Sequence, residues 1–469
     1  MMNCVHHLRI SMLRGSATHH GRPDGGAAGL RRYGVVGVPG SLVGDVITDQ
    51  EDSMRALICT FGTRGDIEPF VALAERLVAH GHEAVLAAPE AYRGTVPAPV
   101  GFFPVATEMD EVMRAGMADL SGPSQALRMA RRMSTAMRLS LQQQWAAARQ
   151  VDPTIVVAHP KALGGLHVAE RLGVPVVASL PLPFLTPTGD FPIPFLARPL
   201  PARVNRFSYQ LNRFTAVAYG GMINAFRRRT LGLRRISRFS DLLHTTSGER
   251  VPVLYPFSPR VVPVPSDYPA SAHVTGYWFR QEQQAAWAPP RELVAFLADG
   301  EPAIYVGFGS MGFGRDAGRR GRVVMDALAR TGVRAVVSTG WGALRAQSSS
   351  SVMVIDEAPH SWLFPRVAAV VHHGGSGTTA AGLRAGRPTL VCPVLGDQPF
   401  WGRRVQALGA GPTPLRLRDA TTSTLAARIR ELVSSARLAD DARTIGEAIR
   451  AEDGTGRAVE VLEGVEARG

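Results

Sequence analysis

The sequence predicts an α/β protein built from two doubly wound halves, and three features of its pattern carry that prediction. Short, largely apolar runs of strand length, such as residues 56–61, 154–158, 174–179, 303–308 and 335–340, alternate with stretches of helical periodicity, as strands buried on both faces of a parallel sheet require. Glycine turns follow several of these runs, GTRGD at 62–66, GSMGFG at 309–314 and GGSG at 374–377. A polar, proline-containing connection at 280–301 separates two such series. With 469 residues, 45% of them hydrophobic and 19% charged, the chain is long enough for about two or three cores.

Residues 1–53 stand apart. They are rich in Gly, His and Arg, lack periodicity and carry five Arg against five Asp or Glu; disorder is expected there, or a natural start at Met54. The first half, 54–279, opens on strand 56–61, the GTRGD turn, a helix over 69–80 with Pro69 in its first turn, and a strand over 82–88. The opening lacks GxGxxG and is a poor dinucleotide site. One or two Met- and Ala-rich helices follow over 108–150, then strands 154–158 and 174–179 flanking a short helix at 163–172. Proline-rich 180–201 is too irregular for an element. Phe207, Leu211, Phe214, Ala218, Met222 and Phe226 then recur at helical spacing, and short strands are expected within 251–264 and 274–279. The second half, 302–469, repeats the pattern, with a helix to Ala329, a strand at VMVID, a helical run over 425–449 and a last helix over 459–466 that could pack back on the first half.

The formal net charge of +13 is concentrated. Between residues 191 and 240 there are ten arginines and no Asp or Glu. That window reads as a core helix with a solvated basic face, or as an apolar acceptor pocket beside a face that meets anionic lipid. Nucleic acid is not expected as a partner, because no zinc finger or other nucleic-acid signature accompanies the charge. Cys4, Cys59 and Cys392 are scattered and form neither a metal-ligand spacing nor a disulfide framework, so a reducing cytoplasm is expected. No apolar run has the length of a spanning helix.

Residues 368–401 organise the second half: an apolar strand, His372 and His373, Gly374, Gly375 and Gly377, a helix, a second strand, and the acidic turn Gly396–Asp397–Gln398. Glycines let the backbone approach a ligand, and a helix N-terminus offers free N–H groups and a positive dipole end. Together they form a phosphate site. The Asp-Gln pair falls one βαβ unit later, where carboxyl ends of parallel strands line a crevice.

The combination of GTRGDIEP, YVGFGSM, APHSWLF, HHGGSGTTAAGLRAGRP and GDQPFW resembles the GT-B glycosyltransferases that use nucleotide sugars. The resemblance is closest to the sterol 3-β-glucosyltransferase branch and its bacterial natural-product relatives, and it runs from about Met54 to the C-terminus. It implies a GT-B fold, with two Rossmann-like domains facing across a cleft. It also implies an inverting hexose transfer from a nucleoside-diphosphate sugar, UDP-glucose first and a dTDP-sugar second, to a lipophilic alcohol. No tightly bound cofactor and no metal are expected, and the protein would work in the cytoplasm with peripheral contact at the inner membrane face through the 191–240 window.

The resemblance also distributes roles. His372 would reach the diphosphate, with N–H groups from Gly375 to Thr378 acting on the developing charge. His373 would turn to the opposite face if the strand persists. Gly374, Ser376, Gly377 and Thr378 complete the phosphate nest, with Gly309 and Ser310 as its partner loop. Asp397 and Gln398 would bind sugar hydroxyls. Ala358 and Pro359 stand at the base-recognition edge, where Glu357 occupies a position that is Trp in many relatives. Asp66 is the expected proton acceptor, with His159 and His167 as rivals and a capping role as its structural alternative. Gly62 and Thr63, with Phe184, Thr186 and Phe191 around the LTPTGDFPIP loop, are the expected acceptor-side residues.

Overall fold

The computed structural model describes residues 53–106, 123–196, 200–237, 240–280, 287–309, 317–340, 344 and 346–468. Ser310 and the rest of the second glycine loop lie outside them. Residues 51–469 form one compact unit containing two parallel sheets.

The first sheet has seven strands: β1 (Arg55–Cys59), β2 (Glu83–Ala88), β3 (Gly101–Pro104), β4 (Ile155–Ala158), β5 (Val176–Ser179), β6 (Val253–Tyr255) and β7 (Ala272–Val274). Their spatial order is β3-β2-β1-β4-β5-β6-β7, and every pair is parallel. Helices α1 (Arg64–Ala79), α2 (Pro123–Val151), α3 (Gly165–Leu172), α4 (Ala202–Ser208) and α5 (Phe214–Phe226) belong to this half. Helix α1 begins five residues earlier than its proline suggests. Its Asp66 carboxylate accepts the Thr63 backbone N–H at 2.9 Å, so the first turn is capped before Pro69 is reached.

In the connection between the halves, residues 291–298 coil into α6 (Arg291–Ala298). Leu293 is buried there with Tyr305, and Phe296 and Leu297 pack against it, apolar anchors that a reading of polar and proline content passes over. The second sheet follows: β8 (Ile304–Gly307), β9 (Ala335–Ser338), β10 (Val352–Ile355), β11 (Val370–His372) and β12 (Thr389–Val391). Its order is β10-β9-β8-β11-β12, again parallel. Helices α7 (Ala317–Thr331), α8 (His360–Leu363), α9 (Ser376–Arg384), α10 (Gln398–Ala407), α11 (Thr422–Ser434), α12 (Ala436–Arg450) and α13 (Gly454–Glu466) accompany it. The run expected as one helix over 425–449 is split at Ser435, whose hydroxyl accepts the Leu438 N–H and starts α12 afresh.

In both sheets the strand order reverses between the first and fourth strands, β1 with β4 and β8 with β11. Such switch points open a crevice at the strands' carboxyl ends. The halves are joined by an apolar core in which Leu180, Tyr255 and Phe257 pack with Phe400, Trp401 and Val405. Helix α13 returns to the first sheet, placing Val459 and Leu462 in one cluster with Phe70, Leu77 and Trp278. Among the described residues, no helix is long and apolar enough to cross a membrane.

Candidate active site

Asp66 lies just beyond β1, and the segment beyond β4 reaches it. Lys161 Nζ donates to both carboxylate oxygens, at 2.7 and 2.8 Å. His159 Nε2 stands 3.5 Å from Oδ1, and its Nδ1 accepts the Lys161 backbone N–H at 3.1 Å. Gly62 has φ of +140°, and a Cβ there would fall 2.2 Å from Asp66 Oδ2, so this carboxylate occupies space that only glycine leaves open. Burial pushes the Asp66 carboxyl up, but Lys161, His159 and the hydrogen bonds outweigh it and hold the group below the ordinary carboxylate range. Burial takes His159 down to about 4, leaving it neutral. Asp66 is therefore both a helix cap and an ionised carboxylate in a charge cluster. His167 is elsewhere, on α3, where it meets buried Arg227 at 3.1 Å; Arg227 in turn grips Glu170 through both terminal nitrogens.

The second sheet supplies the opposite wall. Strand β11 ends at His372, so the alternation that would send His373 to the other face does not run through it. His372 is fully enclosed, and its Nδ1 accepts the Gly374 N–H at 3.0 Å, fixing the turn. His373 instead lies between the two glycine loops. A Cβ at Gly309 would come within 2.9 Å of its Cε1, and one at Gly375 within 2.6 Å of its Nε2. His372 Nε2 and His373 Nδ1 are both buried without a hydrogen-bond partner. Burial lowers both rings, His373 to about 4 and His372 well below its usual value, so both are neutral donors near neutral pH. Gly374, at φ +95°, leaves room for Val391 and the Gln398 carbonyl.

Helix α9 starts at Ser376, and its first N–H groups have no intrahelical acceptor. The Ser376 hydroxyl donates across the cleft to the Pro181 carbonyl at 2.9 Å, and a Cβ at Gly377 would lie 3.8 Å from the Gly65 Cα. The glycine turn thus meets the Asp66 loop. Thr378 is half-buried in the same helical turn. Asp397 accepts the Trp401 indole N–H at 2.8 Å. Burial and then, more weakly, the Asp66 charge push its carboxyl up. The Gln398 amide oxygen accepts the Val394 and Leu395 N–H groups, closing the loop after β12.

On the acceptor side, Thr63 donates from Nα and Oγ1 to Asp66. Phe184 and Phe191 pack at the junction, the latter 5.8 Å from the Phe400 ring of the other half. Thr186 is spent inside: its N–H and Oγ1 both pair with the buried Tyr255 hydroxyl. Ala358 is buried and Pro359 precedes α8, with Glu357 exposed beside them. Among the described residues no group of three or more metal-ligating side chains is assembled.

Family models match both halves: the glycosyltransferase family 28 N-terminal domain over residues 56–186, and the erythromycin biosynthesis protein CIII-like C-terminal domain over 322–463. A sterol 3-beta-glucosyltransferase of Arabidopsis thaliana is 35% identical over 87% of this chain and 65% of its own length. A second from the same plant is 34% identical over 87% of this chain and 68% of its own. The chain belongs to the sterol 3-beta-glucosyltransferase family. It spans about two thirds of those plant members and 27% of the length of the one from Cryptococcus neoformans, at 34% identity over 88% of this chain. Solved structures agree on the fold. The glycosyltransferase SnogD from Streptomyces nogalater superposes with a TM-score of 0.58 at 21% identity, covering 87% of this chain and 99% of that one. The glycosyltransferase VinC, solved with dTDP, gives 0.59 at 20%, covering 89% and 100%. The two facing sheets are the GT-B arrangement.

Lys161, which holds the Asp66 carboxylate, is the member of that cluster that motif reading missed. The signal was present in the composition: of the 52 Lys and Arg residues, Lys161 is the only lysine.

Proposed function

We propose that the protein transfers a hexose from a nucleoside-diphosphate sugar, with UDP-glucose as first donor and a dTDP-sugar as second, to the hydroxyl of a lipophilic acceptor such as a sterol, terpenoid or polyketide. The observation that carries this reading is the meeting of two switch points: the Asp66–Lys161–His159 cluster of one sheet abuts the glycine turn of the other at Gly65 and Gly377. The sterol glucosyltransferase relatives support it.

In this reading the acceptor oxygen attacks the anomeric carbon as the bond to the diphosphate breaks. Asp66 takes the hydroxyl proton, and the bond's electron pair leaves with the diphosphate. Neutral His373, between Gly309 and Gly375, and the N–H groups opening α9 stabilise that charge without gaining or losing a proton. His372 shapes the turn. Lys161 holds both oxygens of Asp66, orienting the base before the acceptor arrives. Asp397, steadied by Trp401, takes the sugar hydroxyls. One displacement inverts the anomeric centre and passes through no covalent enzyme intermediate.

Incubation of the purified chain with UDP-glucose or dTDP-glucose and a panel of lipophilic alcohols tests the reading. Product mass and the proton coupling at the anomeric carbon are measured, and a β-linked product from an α-donor is expected. Absence of both transfer and donor hydrolysis across the panel would sink it; an Asp66→Ala protein with unchanged turnover would remove the base. A narrower test addresses Asp397. Trp401→Phe keeps an aromatic ring in the core but deletes the N–H, an interaction with a charged group of about 1.5 kcal/mol. Initial rates should show donor KM raised roughly tenfold with acceptor KM unchanged.

A further inference from the structure

The segment from Leu200 to Asn212, which runs through α4 into a 3-10 turn at Tyr209–Arg213, is amphipathic and set into the protein the wrong way round. Its polar residues face inward. Asn205 donates to the Gly189 carbonyl at 2.8 Å and accepts the Leu200 N–H at 3.1 Å. Ser208 Oγ accepts the Ile193 N–H at 2.9 Å, and the Tyr209 hydroxyl reaches the Phe191 carbonyl. Asn212 donates to the Phe184 and Leu185 carbonyls. Asn205 and Tyr209 are each 2% exposed.

The apolar residues face water. Leu200, Val204, Phe207 and Leu211, spaced by four, three and four, are 40%, 45%, 71% and 58% exposed. Phe195 and Leu196 extend the patch on one side. On the other, the exposed positions of α5 among the described residues are Val217, Ala218, Gly221 and Ala225, none of them charged. Contiguous exposed apolar surface of this kind marks an interaction site.

The rim selects the partner. Exposed Arg203, Arg206 and Arg213 border the stripe, with Arg228, Arg229, Arg234 and Arg235 beyond it, and the whole 191–240 window contains no acidic residue. Asp241 and Asp267 line a pocket with Arg206 and Arg213, and Asp267 is engaged by Thr188, Gly189 and Arg206. A protein interface would be expected to mix charges at its rim. Apolar side chains within a predominantly cationic border match an anionic bilayer, with the segment lying in the interface plane.

We propose that this inverted segment docks the protein on an anionic lipid surface and presents the 184–193 loop to acceptor dissolved in that surface. The inward polar face makes the coupling, because the hydrogen bonds of Asn205, Ser208, Tyr209 and Asn212 all end on that loop or on the approach to the helix. Docking therefore sets the acceptor side against the bilayer. The proposal rests on the reading of a lipophilic acceptor.

Sedimentation with vesicles tests it, using phosphatidylcholine alone and an equal mixture with phosphatidylglycerol across a salt series. The full chain should bind the anionic vesicles, weakly at high salt, and leave neutral ones largely unbound. Phe207→Ser with Leu211→Ser should lose at least tenfold in vesicle binding, as should Arg203→Glu with Arg213→Glu, each arginine contributing about fivefold. In both variants transfer to a vesicle-borne acceptor should fall in parallel, while transfer to a water-soluble short-chain alcohol holds. Circular dichroism and melting confirm that the exposed substitutions leave the fold intact. Vesicle binding unaffected by either pair overturns the proposal. So does a wild-type dimer that the serine pair makes monomeric, or a higher affinity for RNA than for the anionic vesicles. Loss of transfer to every acceptor with vesicle binding retained would strike the enzymatic reading and leave the docking surface standing.

Discussion

Asp66→Asn is expected to lower kcat by roughly 10²–10⁴-fold, the usual range for loss of a positioned base, while calorimetric binding of UDP is retained. The pH dependence follows from the surroundings of the carboxylate. Burial acts to raise the Asp66 carboxyl, but the Lys161 ammonium, His159 and the hydrogen bonds hold it below its ordinary value. The base is then ionised throughout the neutral range, and the acidic limb of kcat/KM lies below the range of an unperturbed carboxylate, about 3.9. In Lys161→Met the ammonium is gone and burial is opposed only by weaker partners. The limb should move to higher pH, with activity at mildly acidic pH falling first. Folding stability shares the sign: because the folded-state value is depressed, the Asp66 contribution is present above the unfolded-state value and is lost as pH falls through the folded one. An unmoved acidic limb in Lys161→Met would deny Lys161 its hold on the base. Lys161→Arg retains the charge and should keep the limb low. Any loss of kcat in that variant then measures the cost of replacing a compact ammonium by a planar fork.

The architecture was legible because strands buried on both faces leave an unbroken apolar run, and their glycine turns mark where a backbone must approach something. What periodicity could not supply was orientation. Phe207 and Leu211 at helical spacing read as a core-facing stripe, yet both are exposed. Asn205, Ser208, Tyr209 and Asn212 satisfy loop carbonyls and N–H groups that would otherwise be buried unpaired. A stripe identifies a face but not which side the protein occupies.

The site shows the same division. Asp66 is singled out by its position after β1, where carboxyl ends of strands meet ligands, together with the family resemblance of its loop. Its partners His159 and Lys161 come 93 and 95 residues later, and only the adjacency of β4 to β1 brings them together. For the pair of histidines only the facing was misjudged. Alternation assigns opposite faces only while a strand continues, and β11 stops one residue too soon.

That last point separates two variants. His373 contacts the glycine loops and bonds nothing that shapes the fold, so His373→Ala should cost roughly 10²–10³-fold in kcat, as for removal of a donor that acts on developing charge. Its melting temperature should barely change. His372 is wholly buried and holds the Gly374 N–H. His372→Ala should lose stability by about 1–3 kcal/mol through that orphaned donor, with further loss from the cavity and a fall in activity that follows the loosened turn. Because both rings are neutral, neither should contribute a limb to the rate profile near neutrality. Thermal melts and single-turnover rates on the two proteins distinguish the roles. A stable, inactive His372→Ala beside a fully active His373→Ala would return the diphosphate contact to the strand-end histidine.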